Sequence, residues 1–325
     1  MTTAEALGRA TFREVEADLE VVRREVVADG VVALTLAAPD GAELPQWSPG
    51  AHIDLLLPDL VRQYSLCGDT RDRRHWRIGV LLDPQSRGGS RYIHEHLREG
   101  ATVRIRGPRN HFPFVRARRY LFVAGGIGIT PLLPMIAAAQ AIGAEWELHY
   151  VGRSRASMGF LDELAPHAEQ VTLIPRDERD RLDLDALLAR PRTDTAVYCC
   201  GPERLLTAVE AGCRDRDGTT AHVERFSAKV TDEPAPDTAF EVDCQRSGVT
   251  VTVPAGTSIY SAVEAAGVDV LGSCMEGVCG TCECDVLEGV ADHRDSVLSE
   301  SERESGETIM ICVSRARSER LVLDL

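Results

Sequence analysis

The first part of the chain, up to about Pro113, alternates short apolar segments with turn residues. The apolar segments are LEVVRREVVADGVVALTLAAP, HIDLLLP, RQYSLCG, HWRIGVLL and TVRIRGP. Strands that follow one another at this spacing predict a small antiparallel β-barrel. The segment GGSRYIHEHLREG has the pattern of the one helix expected within it.

A second pattern runs from about Val115 to Lys229. YLFVAGGIGITPLLPMIAAAQAIG predicts a strand, a glycine turn and a helix. Three further strands are predicted at WELHYVGRS, QVTLIPRD and AVYCCGP, with helical stretches between them. Because strands and helices alternate, this part predicts an α/β domain with a parallel sheet and right-handed crossovers.

The third part follows SAKVTDEPAPDTA, a polar segment with two prolines that predicts an interdomain linker. From Phe240 onward, FEVDCQRSGVTVTVPAG predicts a two-stranded hairpin and TSIYSAVEAAGV a helix capped by Thr257 or Ser258. RLVLDL predicts a final strand. The predicted organisation is three domains at 1–114, 115–229 and 240–325, with the linker at 230–239.

Composition and charge restrict the class of protein. The 325 residues are 44% hydrophobic and 27% charged, which is typical of a globular protein with two or three domains. The first residues lack an apolar targeting segment and no apolar run approaches 18 residues, so we expect a cytoplasmic protein without a membrane segment.

The net charge of −15 is concentrated at one end of the chain. The residues from Asp232 to the end contain 19 Asp and Glu against 6 Arg, a balance of −13. Such a field repels nucleic acid and can steer a basic protein partner towards the acidic part. The alternative is a solvated acidic surface that only aids solubility.

Four cysteines have the spacing of an iron–sulfur site. Cys274, Cys279 and Cys282 follow the pattern C-x4-C-x2-C, and 29 residues separate Cys282 from Cys312. This is the spacing of a plant-type [2Fe–2S] cluster, which needs four thiolates and a loop of small residues. Zinc is the alternative, but it favours paired C-x2-C motifs and only one such pair is present. The third part resembles a plant-type ferredoxin, which implies an α+β β-grasp fold.

Arg62-Gln63-Tyr64-Ser65 resembles the R-x-Y-S motif of the ferredoxin–NADP⁺ reductase superfamily. The resemblance implies that Arg62 pairs with a flavin phosphate, that Tyr64 lies along the flavin and that Ser65 reaches its N5 region. Arginine offers a planar fork for phosphate, which agrees with that role. Surface packing on a barrel strand is the alternative for the same residues.

Gly88-Gly89-Ser90 stands at the start of the predicted helix, where backbone N–H groups can bind an anion. A simple capped turn is the alternative. SRGGSRYIHEHL and the later GPRNHFP closely resemble the phthalate dioxygenase reductase and vanillate demethylase reductase family. The resemblance implies FMN, whose single phosphate is held by this turn and by the motif arginine. FAD would need a further element for its adenosine half, and the sequence contains none.

A glycine turn after the first strand of the second domain predicts a nicotinamide site. Its residues are Gly125, Gly126, Gly128, Thr130 and Pro131. Proline replaces the third Rossmann glycine, where it suits a helix start, and no acidic residue ends the next strand. The turn instead resembles the reductase motif GGxGxTP, which binds pyrophosphate.

Two further features belong to this site. The resemblance implies NADH as the coenzyme, but Arg153 and Arg155, which follow the second strand, keep NADPH open. Cys200-Gly201-Pro202 ends the fourth strand, at the edge where α/β sheets bind ligands. The resemblance implies that Cys200 lies beside the nicotinamide.

The segment HVERF adds an aromatic residue to the predicted site. Phe226 matches the position of an aromatic ring that covers the flavin in the family, and core packing is the alternative. Ser65, Cys200 and Phe226 are the predicted catalytic residues.

The resemblance covers nearly the whole chain, in the order flavin barrel, nucleotide domain and ferredoxin, and it implies an oxygenase reductase. Electrons are expected to pass from NADH to FMN, to the cluster and then to a terminal oxygenase, Rieske-type by default or a cytochrome P450. A monomer that binds no nucleic acid and no membrane is expected. The alternatives are a self-contained flavin oxidoreductase acting on a small molecule and a non-enzymatic electron carrier.

Overall fold

The computed structural model describes residues 13–58, 60–84, 88–190, 194–214, 216, 219–228 and 237–325. The chain forms two compact units, one ending at Glu224 and the other beginning at Arg225. The predicted barrel and parallel sheet share the first unit, so the boundary at 114 stays a prediction, as does that at 229. Residues 230–236 of the predicted linker lie outside the described residues. No helix among those described is long and apolar enough to cross a membrane.

An antiparallel barrel forms the first half of the first unit, as predicted. Its strands in the described part of the chain are β1 (Val15–Ala28), β2 (Val31–Ala37), β3 (His52–Leu57), β4 (Leu60–Ser65), β5 (His75–Leu81) and β6 (Thr102–Arg109), with helix α1 at Gly89–His96. They pair in the order β4-β3-β6-β1-β2-β5, and a bridge from Leu66 to Ile78 joins the two end strands. Alternating apolar side chains such as Leu34, Ile53 and Trp76 fill the core.

A parallel sheet forms the second half of this unit. Its strands, within the described ranges, are β7 (Arg119–Gly125), β8 (Glu145–Gly152), β9 (Val171–Pro175), β10 (Thr195–Cys200) and β11 (Thr219–Glu224), with helices α2 (Leu132–Ala141), α3 (Leu161–Leu164), α4 (Leu184–Leu188) and α5 (Glu203–Arg214). The order is β11-β10-β7-β8-β9. The sequence predicted four of these strands. It did not predict β11, because TTAHVE is only half-buried and lacks an apolar run.

A close contact at Gly79 joins the barrel to the parallel sheet. A Cβ on Gly79 would lie 2.7 Å from the Thr130 methyl group and 2.8 Å from the Phe160 ring. The Arg77 guanidinium lies 5.1 Å above the same ring and pairs with Glu163 at 2.6 Å. Glycine therefore allows the glycine turn after β7 and the segment before α3 to pack directly on β5.

A second contact fixes the chain between the two halves. The Tyr198 hydroxyl on β10 accepts a hydrogen bond from the Val115 N–H at 2.7 Å and donates one to the Pro113 carbonyl at 2.9 Å. The segment that leaves the barrel is thus held at the start of the sheet domain by a buried side chain from the centre of that sheet.

The second unit contains a mixed sheet, in agreement with the predicted β-grasp fold. Its described elements are β12 (Phe240–Cys244), β13 (Val249–Val253), α6 (Ile259–Ala265), β14 (Glu283–Glu288), β15 (Ala291–Asp292), α7 (Glu300–Ser305), β16 (Thr308–Met310), β17 (Arg315–Ala316) and β18 (Arg320–Leu323). The main order is β13-β12-β18-β14-β16, with β12 and β18 parallel. Ser258, one of the two predicted caps, accepts from the Ser261 N–H at the start of α6.

One buried guanidinium ties the start of the second unit to its later segments. Arg315 donates hydrogen bonds to the carbonyl oxygens of Thr238 at 2.9 Å and Pro254 at 3.1 Å, and to that of Thr257. It also lies 5.0 Å above the Phe240 ring. Three carbonyl groups, an aromatic face and the Asp237 carboxylate at 3.4 Å satisfy a cation that is only 4% exposed.

We predict that Gly79→Ala lowers the free energy of unfolding by about 1–3 kcal/mol, because the new methyl group overpacks the contact with Thr130 and Phe160. Gly159→Ala is the matched control at the same junction. Its Cβ would meet Val27 and Val31 at 3.6 Å, an ordinary van der Waals distance, so its effect stays within about 0.5 kcal/mol. Urea denaturation of both variants measures the difference, and equal stabilities would contradict it.

Candidate flavin, nicotinamide and cluster sites

At the predicted phosphate site, Arg62 on β4 lies beside the start of α1. A Cβ on Gly89 would lie 2.7 Å from Arg62 Cγ and 3.1 Å from its Nε, so only glycine leaves room for this side chain. Gly88 has φ +109°, in the region that favours glycine, and the Ser90 hydroxyl accepts from the Asp83 N–H at 3.2 Å. A cation beside the N-terminus of a helix fits a phosphate group.

Tyr64 lies on the strand that carries Arg62 and packs against the barrel core. Burial raises the pKa of its hydroxyl, and the nearby Arg62 opposes that effect only in part. The ring is thus a neutral, partly covered surface next to the cationic site, which is compatible with a flat aromatic cofactor.

Ser65 at the end of β4 meets a carboxyl group from the parallel sheet. Its hydroxyl donates to Glu224 Oε2 at 3.2 Å, and the Cys200 thiol donates to the same oxygen at 3.9 Å. Cys200 and Glu224 are register partners at the carboxyl ends of β10 and β11. Two of the predicted catalytic residues are therefore brought together by a third residue between them.

Burial affects the protonation of both the Glu224 carboxyl and the Cys200 thiol. It raises the pKa of Glu224 to about 8, against the smaller effect of hydrogen bonds from Ser65 and Cys200. Burial also raises the pKa of the Cys200 thiol, and the negative charges of Glu224 and Cys199 add to the increase. Burial therefore favours the carboxylic acid and the thiol over the two anions.

Glu224 was not among the predicted site residues, although it lies in the HVERF segment. A signal was available, since Glu224 is an acidic residue at the carboxyl end of a strand that neighbours β10. Using that signal required the fifth strand, which the apolar pattern did not predict.

The predicted pyrophosphate turn packs backbone to backbone on the Cys200-Gly201-Pro202 turn. A Cβ on Gly125 would lie 2.6 Å from Pro202 Cδ, and one on Gly201 would lie 2.8 Å from Gly125 Cα. A Cβ on Gly128 would overlap the Cys200 carbonyl group. The glycines therefore let the carboxyl ends of β7 and β10 approach each other, which is where this sheet order leaves its ligand crevice.

The rest of the glycine turn differs in detail from its prediction. Gly126–Ile129 form a 3₁₀ turn with φ +57° at Gly126, and α2 begins after Pro131 instead of at it. Thr130 is buried, and its hydroxyl donates to the Ile127 carbonyl at 3.0 Å within the turn. Its role towards pyrophosphate stays a prediction.

Two predicted residues lie outside these contacts. Arg153 is exposed and forms no ion pair among the described residues, whereas Arg155 makes a two-point pair with Glu178 at 2.9 and 3.2 Å. Phe226 belongs to the second unit and is 45% exposed. Its place over a flavin stays a prediction.

The four predicted cluster ligands lie together in the second unit. Cys279, Cys282 and Cys312 are buried, and Cys274 is half-buried. Thiol contacts join Cys274 to Cys279 and Cys312, and Cys282 to Cys312. Within the part of the chain that the structure describes, no group of three or more His, Cys, Asp or Glu is arranged to hold a single metal ion.

The loop around these cysteines is closely packed and depends on small residues. A Cβ on Gly272 would lie 2.6 Å from the Tyr260 ring, and one on Gly277, at φ +67°, would lie 2.6 Å from Val313 Cγ2. The Glu276 N–H donates to Cys274 Sγ at 3.3 Å. Four thiols, small residues and a backbone donor to sulfur are the features that a [2Fe–2S] cluster requires.

Comparison with known proteins agrees with these three sites. Residues 242–317 match the 2Fe-2S iron-sulfur cluster binding domain. The phenoxybenzoate dioxygenase subunit beta of Ectopseudomonas oleovorans is 45% identical over 92% of this chain and 94% of its own. The crystal structure of phthalate dioxygenase reductase, described as transferring electrons from pyridine nucleotides to [2Fe–2S], is 36% identical over 95% of this chain and 98% of its own, with a TM-score of 0.69.

A longer protein also contains this architecture. An intact type IV self-sufficient cytochrome P450 monooxygenase matches with a TM-score of 0.89 and 46% identity, over 100% of this chain. This chain spans only 42% of the length of that protein. The order of barrel, parallel sheet and cluster domain is therefore shared by separate reductases and by a fused P450 system. By sequence and fold, the chain belongs to the phthalate dioxygenase reductase-like family and is an oxidoreductase with flavin, nicotinamide and [2Fe–2S] sites.

Proposed function

We propose that this protein takes a hydride from NADH and delivers the two electrons singly to a separate terminal oxygenase. The observation that carries the proposal is the meeting of Ser65, Glu224 and Cys200, which joins the flavin motif to the nicotinamide motif at one sheet edge. When bound, FMN accepts electrons in pairs and releases them one at a time, and the cluster carries one at a time.

The flavin is proposed to be FMN. Arg62 and the start of α1 provide one cation and one helix N-terminus, which match a single phosphate group. Tyr64 would lie along the ring, and Ser65 would face its N5 region. The role of this part of the chain is to orient the cofactor towards the nicotinamide, because the cofactors supply the redox chemistry themselves.

Glu224 is proposed to keep the contact among Ser65, Glu224 and Cys200 uncharged. Its raised pKa means that the carboxyl retains its proton below about pH 8, so it adds no negative charge where a hydride must arrive. Cys200 is held on the same oxygen and would limit how the nicotinamide ring approaches. Neither residue needs to act as a general base, since hydride transfer abstracts no proton.

NADH is proposed as the coenzyme in preference to NADPH. The 2′-phosphate of NADPH needs cations that are free to bind it, and Arg155 is already paired with Glu178 at two points. Arg153 alone then faces the adenosine end. This leaves a weaker site for the 2′-phosphate dianion than two free arginines would provide.

A Rieske-type oxygenase is the proposed acceptor, since a similar protein is a subunit of a dioxygenase. A cytochrome P450 is the second candidate, because the fused P450 monooxygenase contains the same architecture. The alternative of a self-contained oxidoreductase predicts fast NADH oxidation with a small substrate and no protein acceptor. Slow NADH oxidation by the protein alone, which becomes faster when a protein acceptor is added, supports electron delivery to a separate oxygenase.

Arg62→Ala should weaken FMN retention about tenfold or more, because a charge-assisted hydrogen bond to phosphate is lost. Flavin released from the wild type should co-migrate with FMN, and the ratio of flavin to protein measures retention in the variant. Arg91→Ala is the control, since Arg91 is an exposed arginine on α1 itself. Unchanged flavin content in Arg62→Ala would contradict the assignment of the phosphate site.

Cys279→Ser should abolish the visible iron–sulfur absorption while NADH still reduces the flavin. The two sites draw their ligands from different units, so loss of a buried thiolate ligand leaves the flavin site intact. Cys284→Ser is the control, because Cys284 is also buried in this unit but is not a predicted ligand. Anaerobic absorption spectra before and after NADH test this, and loss of both chromophores together would argue against separate sites.

The Glu224 carboxyl should lose its proton near pH 8 instead of near 4.5, because its folded-state pKa is raised by burial. The infrared band of a protonated carboxyl group should therefore be present at neutral pH, disappear as the pH rises through about 8, and be absent from Glu224→Gln. Glu178→Gln is the control, since pairing with Arg155 lowers the pKa of Glu178. A band that is already absent at neutral pH would contradict the neutral site.

A further inference from the structure

One edge of the cluster loop is more accessible than the rest. Cys279, Cys282 and Cys312 are between 2% and 8% exposed, whereas Cys274 is only half-buried. Electrons that leave through the closest approach to solvent would therefore leave past Cys274. The side chains around this ligand decide which surfaces can approach it.

Exposed apolar residues flank this ligand in the sequence. Leu271 is 63% exposed and Met275 is 44% exposed, three residues before and one residue after Cys274. Gly272 packs close to both the Met275 side chain and the Tyr260 ring, so those two side chains lie over the same backbone position. We call Leu271, Met275 and Tyr260 the apolar rim.

The chain that carries the apolar rim is acidic. The 47 residues 247–293, which contain three of the four cluster ligands, include seven Asp and Glu and no Lys or Arg. Glu264 accepts a hydrogen bond from the Tyr260 hydroxyl at 3.1 Å, Asp269 is exposed two residues before Leu271, and Glu276 follows Met275. The rim is thus an apolar patch within a purely acidic stretch.

Single exposed apolar residues are ordinary, and Leu287 and Val290 are examples elsewhere in this unit. The apolar rim differs because Met275 and Tyr260 meet at Gly272, Leu271 and Met275 lie within three residues of the accessible ligand, and the stretch that carries them has one sign of charge. An apolar centre with a polar, charged rim is the usual anatomy of a protein–protein interface, and the charges set partner choice and encounter rate.

We infer that the apolar rim is the docking surface for the electron-accepting protein, and that this protein presents an apolar contact surrounded by Lys and Arg. The inference rests on the proposed function, because it assumes that the cluster delivers electrons to another protein. Contact at the rim would bring the acceptor to Cys274, and the carboxylates would attract its basic residues over a longer range.

The test uses the full-length protein loaded with flavin and cluster, and a lysine-rich c-type cytochrome as the acceptor. Leu271→Gln and Met275→Gln should each lower kcat/KM for the cytochrome about tenfold, the size of effect expected for a residue central to an interface. Leu287→Gln and Val290→Gln, equally exposed in the same unit, should stay within about twofold. Cys279→Ser gives the rate that bypasses the cluster, which is subtracted.

Two further measurements separate docking from other effects. Single-turnover reduction of the cluster by NADH without acceptor should be unchanged in the rim variants, as should the cluster absorption spectrum. Asp269→Asn should reduce the dependence of the cytochrome rate on ionic strength, whereas Leu271→Gln should leave that dependence unchanged.

The outcomes distinguish the inference from the function on which it rests. If NADH fails to reduce the wild-type cluster, the proposed function falls and the inference falls with it. If NADH reduces the cluster normally but the rim variants lose no more than the controls, the inference alone is overturned. Slower cluster reduction by NADH in the rim variants would also overturn it, because the rim would then serve the flavin-binding unit of its own chain.

Discussion

The contact among Ser65, Glu224 and Cys200 depends on the packing of β5 against the parallel-sheet domain. Gly79 has no side chain, so the turn after β7 and the segment before α3 can lie directly on the barrel. This approach aligns Ser65, from a barrel strand, with Glu224, from the far edge of the parallel sheet 159 residues later. A hydrogen bond of 3.2 Å between them requires both halves to keep a fixed position.

The parts of the protein that the sequence predicted are those whose chemistry needs adjacent residues. Four cysteines around a cluster, glycines in a turn and an Arg-x-Tyr-Ser strand leave local patterns, and the order of the three folds followed from apolar periodicity. The phosphate-site residues Arg62 and Gly89, far apart in sequence, are brought together by the barrel as the motifs implied.

The parts that the sequence missed depend on contacts between distant segments. The role of Glu224 depends on its register with Cys200. Glu224 lies on β11, a strand too polar to be predicted from the apolar pattern. The pairing of Arg155 with Glu178 cannot be predicted from either residue alone, although it leaves Arg153 as the one of the two arginines without an ion pair among the described residues. The greater exposure of Cys274 among four equivalent ligands also depends on the folded loop.

The buried guanidinium of Arg315 has a mechanical consequence for the cluster domain. Arg315 lies three residues after Cys312 and binds the carbonyl of Thr238, close to where this domain begins. A pull exerted through the preceding chain would act first on Asp237, which pairs with Arg294 at 2.7 Å and with Arg315 at 3.4 Å, and then on the Thr238 carbonyl that Arg315 binds. Tension on the chain would therefore load these charged contacts before it reached the predicted cluster ligands.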